Sequence, residues 1–148
     1  RLINLLALRS LPKEFPAFVR APDAEARLAY LSSEPDRWRS SPDYTFRHVN
    51  EPDHFFDIDY LEGFGLTPGT LPPFRYDFVA HMALQRARNP GIEPISNPER
   101  DPAHYRAHIG FLPWAINEQY SKLRASFSIL KAYEQHGGTA DEIRNAQQ

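Results

Sequence analysis

The apolar residues Ile109, Leu112, Ile116, Tyr120, Leu123, Phe127 and Leu130 stand 3, 4, 4, 3, 4 and 3 positions apart. That spacing predicts a long helix with one stripe facing a core across about six turns. Pro113 near its start predicts either a kink or a fresh helix that begins at Leu112 with the proline in its first turn. Gly137-Gly138 predicts its end. A second helix is predicted over Phe74 to Arg88, with Phe74, Phe78, Met82 and Gln85 on one flank, Val79, Ala80, Ala83 and Leu84 widening the apolar side, and Asn89-Pro90-Gly91 as the stop.

Shorter helical pieces come first. Leu2 to Leu8 is almost wholly apolar, with neither a basic n-region nor a small-residue cleavage site, and looks like a helix entered part-way. Ala24 to Leu31 has good helix formers and ends at Ser32-Ser33-Glu34-Pro35, which predicts Asp36 at a helix exit or in the turn after it. Thr139-Ala140-Asp141-Glu142 has the form of a capping box, with Glu142 three residues after the cap. Between these pieces the chain is loop-like. Residues 40 to 53 are polar with scattered aromatics, 60 to 73 carry three glycines and three prolines, and Pro90, Pro94, Pro98 and Pro102 recur in a polar stretch read as an extended surface loop. No segment alternates with period two between hairpin turns. The expected fold is all-α, one multi-helix domain over residues 1–148 with long Pro/Gly-rich loops, cut inside a helix at both ends.

Composition narrows the chemistry. The formal net charge of −2 excludes a broadly basic surface that holds nucleic acid by phosphate neutralisation alone. At 41% hydrophobic the chain is too apolar for disorder, and no apolar run approaches the roughly 20 residues of a membrane span. With no cysteine, any metal must be held by His, Asp, Glu or backbone groups.

The densest chemical cluster is Asp53-His54-Phe55-Phe56-Asp57-Ile58-Asp59, predicted on irregular backbone or a short extended piece. Upstream, Pro35-Asp36-Arg37-Trp38-Arg39 offers a carboxylate that a fold can bring beside His54. An imidazole and a carboxylate together are half of a zinc shell. Each also has a plainer reading, Asp36 as a turn or cap residue and His54 as a partly buried side chain beside phenylalanines. Phe55 suits stacking on a flat base, with Asp57 able to hydrogen-bond the base edge, while Phe56 reads as a core anchor. His104 and His108 share a helical spacing without a companion acid and read as surface or structural; His48, His81 and His136 stand without obvious partners, His136 fitting a helix C-terminus.

The order Asp36-Arg37-Trp38-Arg39 followed by His54-Phe55-Phe56-Asp57 resembles the zinc-dependent phosphodiesterase family of fungal and plant single-strand nucleases and bacterial zinc phospholipases C. The resemblance covers the front half of a family member. The family's opening Trp and Gly-His, and its later His-x-x-x-Asp block with further ligands, are not among these 148 residues. What the resemblance implies is that Asp36 and His54 ligate one Zn2+ of a trinuclear cluster and act at the catalytic centre, that Phe55 and Asp57 bind substrate, and that metal-activated water attacks phosphorus in line. It also implies secretion or a periplasmic location, single-stranded nucleic acid or another phosphodiester as partner, and N- and C-terminal segments of the same protein to complete the site. Two ligands cannot close a tetrahedral shell, so the chain alone is expected to bind zinc weakly and to be inactive. The alternatives are a zinc-dependent phospholipase C and, from another class, a non-catalytic helical domain that holds a partner.

Overall fold

The computed structural model describes residues 1–92 and 108–147. Among them are seven α-helices joined by 3₁₀ turns and no strand, so the fold is all-α. The helices are α1 (Leu2–Arg9), α2 (Pro22–Leu31), α3 (Glu34–Arg39), α4 (Tyr44–Asn50), α5 (Arg75–Arg88), α6 (Leu112–His136) and α7 (Ala140–Ala146). None is long and apolar enough to cross a membrane. The described chain divides into two compact units, Arg1–Arg37 with Tyr120–Gln148, and Trp38–Gln119. The α3 and α6 helices contribute residues to both.

In the first unit α1 packs on α2, with Leu8 and Ala29 buried, and Leu130 of α6 is buried as well. Phe127 meets the edge of Phe15 at 5.1 Å between ring centroids, the offset geometry that ring quadrupoles favour. After His136, Gly137 takes φ +85° and the Gly138 amide donates to the Tyr133 carbonyl at 2.8 Å, the bond that closes a Schellman turn. The Thr139 side chain and Glu142 then cap each other's amides at the start of α7, as the capping-box pattern predicts.

The second unit holds the main core. Leu61, Phe64, Leu66, Phe78, Met82, Ile109, Phe111 and Trp114 are buried against one another, with Phe56, Leu71, Val79 and Ile92 packed on them. Phe78 and Trp114 stack at 4.3 Å, and the Trp114 indole N–H donates to the Pro72 carbonyl, so the ring buries its area without orphaning its donor. His81 donates from Nε2 to the Phe64 carbonyl at 2.7 Å, tying α5 to the 3₁₀ turn Glu62–Phe64.

Several sequence expectations need correction. The α2 helix ends at Leu31 with Ser32 as its C-cap, as predicted, but Pro35 sits in the first turn of a new helix, α3, where its missing N–H costs nothing, so Asp36 lies on a helix rather than after one. Residues 44 to 50, expected as loop, form α4 because the Asp43 carboxylate accepts the Phe46 amide at 3.0 Å and caps it. Phe74 precedes α5 and is 68% exposed, and Leu84 also faces solvent. The long stripe begins outside its helix, since Ile109 precedes it and α6 starts at Leu112 with Pro113 in its first turn, the second of the two predicted arrangements. Its middle is not a core face: Ile116, Tyr120 and Leu123 are more than half exposed. Pro94, Pro98, Pro102 and His104 lie outside the described residues.

Candidate functional site

The His54 cluster is held by backbone pairing with residues 109 to 112, all within the second unit. The Phe111 amide donates to the Pro52 carbonyl at 2.7 Å, the Asp57 amide to Ile109 at 2.7 Å, and the Leu112 amide to Phe55 at 3.2 Å. Phe56 and Gly110 form an isolated antiparallel bridge. These bonds give partners to backbone groups of Pro52, Phe55 and Asp57 along a segment whose regular structure is limited to short 3₁₀ turns. Gly110 makes the approach possible. It has φ +94°, and a Cβ there would fall 2.0 Å from the Phe55 carbonyl oxygen, so only glycine fits.

Along the segment, burial falls off in one step after Phe56. His54 ends the 3₁₀ turn Glu51–His54 and is half-buried, as are Phe55 and Phe56, while Asp57 is exposed. Phe56 stands 5.7 Å from Trp114 and 6.2 Å from Phe78 and is a core anchor, as expected. The His54 Nδ1 lies 3.0 Å from the Asn50 carbonyl oxygen. A carbonyl only accepts, so Nδ1 carries the proton and Nε2 carries the lone pair of the neutral ring.

Asp53, the residue before His54, belongs to a charged clamp that sequence reading missed. Arg75, at the start of α5, donates from Nη1 to Asp53 at 2.7 Å, and from Nε and Nη2 to the two carboxylate oxygens of Glu118 at 3.0 and 2.7 Å. Its guanidinium also sits 5.2 Å over the Phe111 ring. Burial alone pulls the Arg75 group down, but the bonds and charges of Asp53 and Glu118 outweigh it, leaving Arg75 more firmly protonated than usual. One sequence signal existed: an arginine in the first turn of a helix opposes the macrodipole and calls for an anionic partner elsewhere.

Asp36 belongs to the first unit. It is exposed and lines a cleft of about 400 Å³ with Arg1, Ala26, Ala29, Tyr30, Ser32 and Ser33. The structure therefore gathers His54, Phe55 and Asp57 in the second unit, with Asp36 in the first. His48 has a neighbour that its sequence context does not reveal, the His108 ring at 6.4 Å, and His108 in turn lies 5.2 Å from Phe111. His108 is a bend residue just before the segment that pairs with the His54 cluster, and its expected companion His104 lies outside the described residues.

Nothing matches the chain among protein-family models, curated proteins or solved structures. Function must be argued from the site. Among the described residues, no three His, Asp or Glu side chains converge as a metal-binding group. The donor chemistry of His54 fits a metal, since a ligating imidazole characteristically gives its other N–H to a carbonyl or carboxylate. Asp36 carries a hard oxygen donor in the first unit, and a complete shell around His54 needs further ligands.

Proposed function

We propose that this chain is the ligand-bearing front portion of a zinc-dependent phosphodiesterase, nuclease-like in its substrate. The carrying observation is the His54 ring, half-buried beside Phe55, with Nδ1–H committed to the Asn50 carbonyl and Nε2 as the lone-pair nitrogen. In this reading His54, through Nε2, and Asp36, through its carboxylate, each serve as zinc ligands. The chemistry that a bound zinc supplies is acidification of a water ligand for attack at phosphorus. Phe55, half-buried on the same segment, offers a ring face to a base, and the exposed Asp57 carboxylate can accept hydrogen bonds from a base edge. The order of these residues supports the nuclease form over a phospholipase C, and export to the periplasm or exterior belongs to the same proposal.

Equilibrium dialysis with elemental analysis tests the ligand assignment. His54→Ala and Asp36→Ala should each lower zinc uptake by the chain, and Phe55→Ala should leave it unchanged while weakening retention of a single-stranded oligonucleotide. Equal zinc uptake by wild type and His54→Ala would remove the enzyme reading and leave a helical partner-binding domain. Turnover confined to a phosphocholine ester, in a form carrying the remaining ligands, would replace the nuclease with the phospholipase.

A further inference from the structure

The first unit leaves an apolar groove open to water. Leu28 and Leu31 of α2 line it together with Leu123 and Ile129 of α6, each between 39% and 56% exposed. Phe18 and Phe127 also line it; both are half-buried, with ring centroids 6.4 Å apart. All of these residues belong to the one unit. The space is about 770 Å³, inside the range of about 300–1,000 Å³ that small-molecule sites occupy, and such sites pair mostly apolar walls with a few placed polar groups. Here the charged groups are Asp23, Arg27 and Arg144. Asp23 lies in the first turn of α2, where the helix dipole answers its charge. Arg144 pairs with Asp141 one turn earlier on α7. Arg27 is exposed and has no hydrogen-bond or ion-pair partner among the described residues. An apolar trough with one unanswered cation complements a molecule with a hydrocarbon body and a single anionic head. A carboxylate takes two parallel N–H bonds from a guanidinium, and an alkyl chain removes the leucines and rings from water.

We propose that this groove binds a free long-chain carboxylate, with Arg27 on the head group and Leu28, Leu123 and Phe127 against the chain. The site uses neither His54 nor zinc, so it stands or falls apart from the phosphodiesterase reading.

Decanoate, 1-decanol and decyltrimethylammonium, each below its micelle concentration, can be titrated into the whole chain and followed in methyl ¹H–¹³C spectra. Decanoate should shift the methyls of Leu28, Leu31, Leu123 and Ile129 to saturation. It should bind about 10-fold more tightly than decanol, the gain from one hydrogen-bonded charge, and the ammonium should bind most weakly. Lengthening the carboxylate from octanoate to dodecanoate should tighten binding by up to about 4-fold per methylene. Arg27→Gln should erase the advantage of decanoate over decanol, and Leu123→Gln should weaken both. The two positions are exposed, so neither substitution threatens the fold. Equal affinity of wild type for decanoate and decanol overturns the head-group assignment, and decanoate shifts that survive Leu123→Gln unchanged overturn the groove. Shifts that follow protein concentration instead of ligand would make this surface a contact between copies. Co-sedimentation with phosphatidylglycerol vesicles, with no response to free decanoate, would make it a membrane face. Either of these results replaces the proposal.

Discussion

Replacing Gly110 with alanine should loosen the whole His54 segment, because the substitution acts on the one residue that lets two backbones touch. Its φ of +94° is a conformation that costs a non-glycine residue about 1–3 kcal/mol. The new Cβ would meet the Phe55 carbonyl oxygen at 2.0 Å and carbonyl carbon at 2.5 Å, both backbone atoms that cannot swing away. To relieve that overlap the chains must part, weakening the three bonds from Phe111, Asp57 and Leu112, each worth about 0.5–1.5 kcal/mol. The total loss is on the order of 4 kcal/mol, of the size that marks a named structural failure rather than ordinary surface change. Urea unfolding followed by Trp114 fluorescence, in a Trp38→Phe background, is the assay, since Trp114 is buried in the affected core and Trp38 is exposed. With a slope of about 2 kcal/mol per molar, the midpoint should fall by roughly 2 M. Gly65→Ala is the internal control: its φ is +68° but a Cβ there meets nothing within 4 Å, so only the backbone term of about 1 kcal/mol applies. Equal midpoints for the two variants would refute the close-approach argument.

Phe78→Ala should cost about 3–5 kcal/mol, because the ring is fully buried and stacked on Trp114; differential scanning calorimetry reads it, and a change below 1 kcal/mol would mean the core collapses onto the space. Thr139→Ala removes the capping side chain of α7 and should speed amide exchange in that helix about 5-fold with little effect on the second unit. Glu142, held below its usual range chiefly by the hydrogen bond from the Thr139 amide, stabilises α7 fully above about pH 4.3, and that help should fade as pH falls through its lower folded value. Exchange rates in α7 that are flat between pH 5 and pH 3, after correction for intrinsic exchange, would contradict that sign.

The helices with strong local signals were legible in the sequence. The α5 helix announced itself by Phe78 and Met82 four apart, α7 by Thr139 and Glu142, and the end of α6 by its paired glycines. What misled was periodicity read through a boundary. Ile109 continues the stripe of α6 in spacing, yet Gly110 takes a positive φ and the segment pairs instead with the His54 cluster, a non-local contact that spacing cannot express. The exposed middle of the stripe, Ile116 to Leu123, obeys helical period without a core behind it, since periodicity gives a face and says nothing of what covers it. The short helix α4 was hidden because its single strong signal, the Asp43 cap, stands in an otherwise polar run. At the site, the residue types of Asp36, His54, Phe55 and Asp57 were visible, whereas Arg75 and Glu118 are 43 positions apart and reveal their pairing only in three dimensions.

Zinc K-edge X-ray absorption of the chain with one equivalent of zinc bears most directly on His54 as a ligand. Imidazole scattering with nitrogen at about 2.0–2.1 Å, lost in His54→Ala and retained in His81→Gln, is the predicted result. A spectrum that His54→Ala leaves unchanged would contradict it.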